Sequence, residues 1–197
     1  MPAAQLPADL LLEHGAVRLR PLTLDDAPRL RALVDAGSWA GMSSPLPTSD
    51  EAMAAHLAQL MAREDLTAFA VERDGEFVGR TAYYEHVPGV RVDVGHTIYA
   101  REVWGTEVNP ACKLLLLRHA FEALGVERVG LRCDHRNTRS HRAILRLGAT
   151  FEGTLRAFRP AADGTVADVD YFSVLAAEWP AVRAGLEARL AGSAPAD

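Results

Sequence analysis

Residues 101–113, REVWGTEVNPACK, join an alternating strand, VDVGHTIYA, to an apolar helix, LLLLRHAFEAL, and this junction has the makings of an anion site. The first N–H groups of a helix lack intrahelical partners and sit at the positive end of its dipole, so they suit a phosphate. Gly105 lets a ligand approach the backbone, and Asn109-Pro110 reads as the helix opening. The junction is neither GxGxxG nor GxxxxGK[ST], which leaves dinucleotide and P-loop sites little support. Alone, it is equally compatible with a plain strand-to-helix connection. A second polar helix start, Asn137-Thr138-Arg139-Ser140, brings an amide and a hydroxyl. A hydroxyl can give a proton or a hydrogen bond at neutral pH, and both residues also cap helices well.

These residues need a sheet to hold them. Val17–Leu22 (VRLRPL) reads as the first strand, and Leu24–Ala36 as a helix stopped by Gly37. Ser38–Pro47 is a loop anchored by Trp39 and Met42. A second helix follows, running to Arg63 with Ala52, Leu57 and Leu60 inward. TAFAVERDGEFVGRTAYYEHV is a hairpin turning at Asp74-Gly75. The strand at Val92 completes a meander, with Val92, Val94, His96 and Ile98 assigned to one face. Leu114, Leu117, Phe121 and Leu124 mark the next helix, and ERVGLRCDH must return parallel to the strand before it. A short helix with Ala143, Ile144 and Leu147, a hairpin at Asp163-Gly164 and a helix from Glu178 to Leu190 finish the chain. The expected fold class is α/β (α+β): a mixed, mostly antiparallel central sheet with a β-α-β crossover and helices on both faces. Residues 1–16 are expected to be an N-terminal arm, 17–190 a single domain and 191–197 a frayed tail.

The 197 residues suffice for one domain with its own core. With 49% hydrophobic and 24% charged residues, the composition is that of an ordinary globular protein. No segment reaches the ~18 apolar residues of a membrane span. MPAAQLPADLLLEHG has no basic leader region, so a cytoplasmic location is expected. Cys112 and Cys133 lack metal spacing and read as reduced, buried thiols, so no metal is expected. A net charge of -5 makes nucleic-acid binding a weak expectation.

In their order and spacing, VRLRPLTLDDA, DGEFVGR, the run from VGHTIYA through REVWGTEVNPACK to NTRSHRAILRLGATFEGTLR, and DGTVADVDYFSVLAAEW resemble the GCN5-related N-acetyltransferases (GNAT). Within that family they are most similar to the branch of ribosomal-protein alanine N-acetyltransferases. The resemblance runs from about Val17 to Trp179. It implies that Val103, Trp104, Gly105, Thr106, Glu107, Val108 and Asn109 wrap the pyrophosphate of acetyl-CoA, and that the Val92 strand splays from its neighbour to receive the pantetheine arm. It implies that Asn137 contacts pantetheine and that Ser140 protonates the departing thiolate. The chain departs from the family's common loop, with Glu102 at its first place and Glu107 at its last, and Lys113 and Arg118 are candidates to offset that charge. An attacking ammonium must lose a proton, for which Glu85, His96 and Asp93 are the candidates. Glu85 follows Tyr83-Tyr84, where burial would raise its pKa. His96 in the phase of Val94 and Ile98 reads more readily as a core histidine than as a base.

The implied activity is acetyl transfer from acetyl-CoA to a primary amine, a peptide N-terminus or a small molecule, by direct attack. A non-catalytic CoA-binding regulatory module is the alternative. Arg132, Arg136, Arg139, Arg142 and Arg146 could face RNA, CoA phosphates or an acidic peptide. A homodimer through the long C-terminal hairpin is one further arrangement.

Overall fold

A computed structural model of the chain describes residue 7 and residues 9–192. Eight strands form one sheet in the order β1-β2-β3-β4-β5-β6-β8-β7: β1 (Leu12–His14), β2 (Val17–Pro21), β3 (Leu66–Arg73), β4 (Glu76–Val87), β5 (Arg91–Tyr99), β6 (Arg128–Asp134), β7 (Thr150–Pro160) and β8 (Val166–Leu175). β5 and β6 pair parallel and every other neighbouring pair is antiparallel, as the crossover requires. The arm expected over residues 1–16 therefore ends as the edge strand β1, paired with β2; most of the rest of the arm, and all but two residues of the expected tail, lie outside the described residues.

The helices α1 (Ala27–Leu33), α2 (Ala36–Trp39) and α3 (Asp50–Met61) cover one face of the sheet, where Leu30, Trp39, Met53 and Leu57 pack on Ala70, Ala82, Tyr84 and Ile98. The helices α4 (Val108–Arg118), α5 (Thr138–Leu147) and α6 (Trp179–Ala191) cover the other, where Leu114, Leu117, Ile144 and Leu186 meet Val92, Val94, Leu131 and Phe172. Each apolar stripe buries one row of side chains, the main favourable term in folding.

Several boundaries differ from the sequence reading for identifiable reasons. The first helix ends at Leu33, and Gly37 lies inside the short α2. Asp35 starts α2: its carboxylate accepts from Ser38 N at 2.7 Å while Ser38 Oγ accepts from Asp35 N at 2.9 Å. The Arg101 guanidinium, which grips Asp35 at 2.7 Å, lies beside Gly37, 2.6 Å from where a Cβ would stand. In α3 it is Met53, not Ala52, that faces inward. α4 opens at Val108, so Asn109 and Pro110 lie inside its first turn and Glu107 takes the cap position.

Candidate functional site

The pairing of β5 with β6 runs only from Arg91–Val94 against Arg128–Leu131. Beyond Val94 and Leu131 the two strands part, leaving backbone groups of β5 without a strand partner on that side. A bulge in β5 drives the separation: Arg80 pairs with Ile98 but Ala82 with Gly95, so His96 and Thr97 oppose a single residue, and His96 takes a left-handed φ of 50°. The bulge also reverses the strand's phase. Val92 and Val94 face α4, whereas Ile98 faces α3, so the single-face assignment through His96 fails at the inserted residue. The carbonyl of His96 freed by the bulge accepts from Arg80 Nη1 at 2.9 Å.

A cavity of about 540 Å³ opens at this fork. On the α4 side, Val103, Trp104, Gly105, Thr106 and Asn109 of the junction line it. Gly105 has φ 82°, the left-handed conformation that lets the junction turn. Thr106 Oγ1 donates to Val103 O at 2.8 Å, and Trp104 Nε1 to Tyr99 O at 3.0 Å. Arg139 lies flat on Trp104, its guanidinium carbon 3.4 Å from the ring centroid. Sequence reading missed this stack, because nothing local links the start of α5 to the junction. Lys113, on α4, lines the same half, and burial brings its pKa down to about 8. Arg118 instead pairs with Glu187 at 3.1 Å.

Glu107 and Val108 do not line the cavity. Val108 is fully buried in the core, and the Glu107 carboxylate turns aside to Arg73 Nε at 2.8 Å. The Glu107 charge is thereby held off the cavity. Glu102 is exposed and also lies off the lining.

Asn137 and Ser140 both line the cavity at the start of α5. Asn137 Oδ1 caps the helix by accepting from Ser140 N at 3.0 Å. Its amide nitrogen stays available, close to Gly41, where a Cβ would come within 2.7 Å of it. Ser140 Oγ meets the thiol of Cys133, which also lines the cavity and whose pKa burial pushes up to about 12. The phase of β6, with Val129, Leu131 and Cys133 on one face, was the signal that could have placed Cys133 here.

His96 lines the far half, its ring edge-on to Tyr84 with centroids 5.2 Å apart. Burial, and then the charge of Arg80, lower its pKa to about 3, so the imidazole is neutral at physiological pH and too weak a base to hold a proton. Glu85 lies outside the lining and takes φ 52° at a second bulge. It is half-buried, and its carboxylate pairs with Arg91 at 3.1 Å and Arg132 at 3.4 Å. Asp93 points over Gly130, where any Cβ would stand 2.2 Å from its Oδ1, and it too lies off the lining. Burial raises its pKa. The three base candidates are thus not brought together.

No described helix is long and apolar enough to cross a membrane. Cys133, His141 and Asp170 could together hold a metal ion, but Asp170 already accepts from Thr154 Oγ1 at 2.7 Å and lies 2.9 and 2.8 Å from the Nδ1 atoms of His135 and His141.

Comparison with known proteins agrees with this architecture. The acetyltransferase (GNAT) domain family matches residues 16–150. A protein from T. thermophilus solved as a candidate acetyltransferase is 38% identical, with 94% of this chain and 98% of that one covered and a TM-score of 0.88. A GCN5-related N-acetyltransferase from Brucella melitensis is 25% identical over 99% of this chain and 90% of that one, with a TM-score of 0.86. Mycobacterium smegmatis RimJ, solved with CoA-disulfide, shares the fold at 24% identity, with 93% of each chain covered and a TM-score of 0.75. Among curated proteins nothing matches the chain. The forked sheet, the junction at α4 and these likenesses together place the chain in the GNAT acetyltransferase family.

Proposed function

We propose that the protein moves the acetyl group of acetyl-CoA to a primary amine, at a peptide N-terminus or on a small molecule, by direct attack. The observation that carries this reading is the fork between β5 and β6, with the α4 junction at one side and Ser140 within it. The pyrophosphate would meet the junction backbone at Gly105, Thr106 and Asn109, where α4 begins, with Lys113 and Arg139 near. Asn137 would hold the pantetheine amide through its free nitrogen, and the unpaired edge of β5 offers N–H groups to the pantetheine and the thioester carbonyl.

The amine nitrogen adds to the thioester carbonyl carbon, and the C–S bond breaks as the intermediate collapses. The leaving thiolate takes a proton from Ser140 Oγ, and the proton lost by the amine returns to that oxygen through water. No protein acyl intermediate is required. Burial, and then the charge of Arg80, disfavour a protonated His96, and the same surroundings would favour the neutral, attacking amine, which lessens the need for a strong base. RimJ was solved with CoA-disulfide, which supports CoA as the partner here. Glu107, the departure from the family's loop, is held by Arg73 and does not line the cavity.

Thiol release with an amine acceptor tests the reading. Ser140→Ala should lower kcat by about a hundredfold while leaving acetyl-CoA affinity within a few-fold, in line with the usual contribution of a general acid. Unchanged kcat would remove Ser140 from the reaction.

A further inference from the structure

The half of the cavity on the α3 side holds more positive charge than attack on a thioester requires. Arg63 reaches it from the segment after α3, Arg132 from β6 and Arg159 from β7. In β6 the alternation puts Val129, Leu131 and Cys133 toward α4, so Arg132 projects to the opposite face, away from the α4 junction. There its guanidinium lies 4.7 Å from the centre of the Tyr84 ring and donates to Tyr171 Oη at 2.7 Å. Arg159 donates to the carbonyls of Pro160 and Gly41, at 3.0 and 2.9 Å, and has no carboxylate within ion-pair distance among the described residues.

Behind them Arg80 is 1% exposed, and it too lacks a carboxylate partner among the described residues. It gives one nitrogen to His96 O and sets the other 3.4 Å from His56 Nε2. Asp65 holds Arg63 at 2.7 Å and Glu85 approaches Arg132 at 3.4 Å, so two of the four charges are partly answered. Asp134 is the one carboxylate lining the cavity among the described residues, and Arg136 already grips it through two nitrogens at 3.0 and 2.9 Å. Of the four only Arg80 is buried, Arg63, Arg132 and Arg159 being half-buried at the cavity wall; a ligand that supplies the opposite charge offsets this excess, and a guanidinium matches a carboxylate in plane and spacing.

From this placement we infer that the acceptor is acidic: a primary amine whose own carboxylate, or a nearby acidic side chain, docks on Arg63, Arg132 and Arg159. The inference rests on the transferase reading and names its substrate class. A lone ammonium would be repelled from this half of the cavity. An attached carboxylate reverses the sign of the encounter and carries the amine to the fork, where the same cations favour its neutral form. The carboxylate can belong to a free amino acid or to an acidic residue beside a peptide N-terminus.

The test compares two matched pairs by the rate of CoA thiol release: alanine against alaninamide, and a C-terminally amidated tetrapeptide with Asp and Glu at its second and third places against its Asn and Gln counterpart. The acid of at least one pair should exceed its neutral partner in kcat/KM by about tenfold or more, the scale of one charge-assisted contact, and the pair that responds identifies the source of the carboxylate. Arg159→Gln should bring that ratio toward one, with acetyl-CoA affinity unchanged by calorimetry, and Arg159→Lys should restore part of it. Equal rates within both pairs, or no turnover of any of the four by protein that binds acetyl-CoA, would overturn the inference. Failure of the unaltered protein to bind acetyl-CoA would instead overturn the transferase reading on which it rests.

Discussion

His96 shows how far environment can move a side chain from the role its type suggests. Its ordinary pKa would make it the natural base near pH 7, yet burial and the adjacent Arg80 take it down to about 3. The sign is plain: a depressed histidine is neutral at every pH above its shifted value, so it contributes no ionisation to the rate between about pH 5 and 8. The pH profile of kcat/KM should therefore lack a limb near pH 6.5, and His96→Asn should leave its shape unaltered. A limb near that value that disappears in the variant would show the imidazole acting as base. Much of this chemistry was hidden in the sequence. Glu85 and His96 were visible as titratable residues near one another in the strands, but Arg80 and Arg132, which decide how both behave, act across strand pairings that no local pattern reports. Ser140 and Asn137 were legible because a helix start is a local event, and the same geometry that caps α5 points both into the cavity.

At the level of elements, the hairpin at Asp74-Gly75 and the crossover from β5 through α4 to β6 could be read directly, since turn chemistry and apolar spacing are local. The bulge at His96 could not. Inserting one residue costs no change in composition, yet it switches which face Ile98 occupies and opens the fork. Gly95, just before it, is the sequence trace of this device: a Cβ there would stand 2.8 Å from Tyr84 Cε1, so the ring can cross the strand only over a glycine. Gly95→Ala should displace Tyr84 and destabilise the fold by about 1–3 kcal/mol, the usual cost of overpacking, with KM for the amine rising more than that for acetyl-CoA. Denaturant unfolding and initial rates check both effects. A neutral substitution would mean that Tyr84 does not shape the acceptor half.

Over the whole molecule, the sheet divides the work between its two faces. Helices α4, α5 and α6 on one face supply the junction, Lys113 and Ser140, while Arg63 and Arg132 serve the other face and the fork alone connects them. The net charge of -5 gives no hint of this, because acidic residues elsewhere mask a cationic cavity. The central claim is that the fork receives acetyl-CoA, and titration calorimetry of the purified protein with acetyl-CoA, with desulfo-CoA as the comparison, tests it most directly. One molecule of acetyl-CoA should bind per chain with micromolar affinity, and desulfo-CoA should bind comparably, because the phosphate contacts are shared. Absence of binding at millimolar acetyl-CoA would contradict the account.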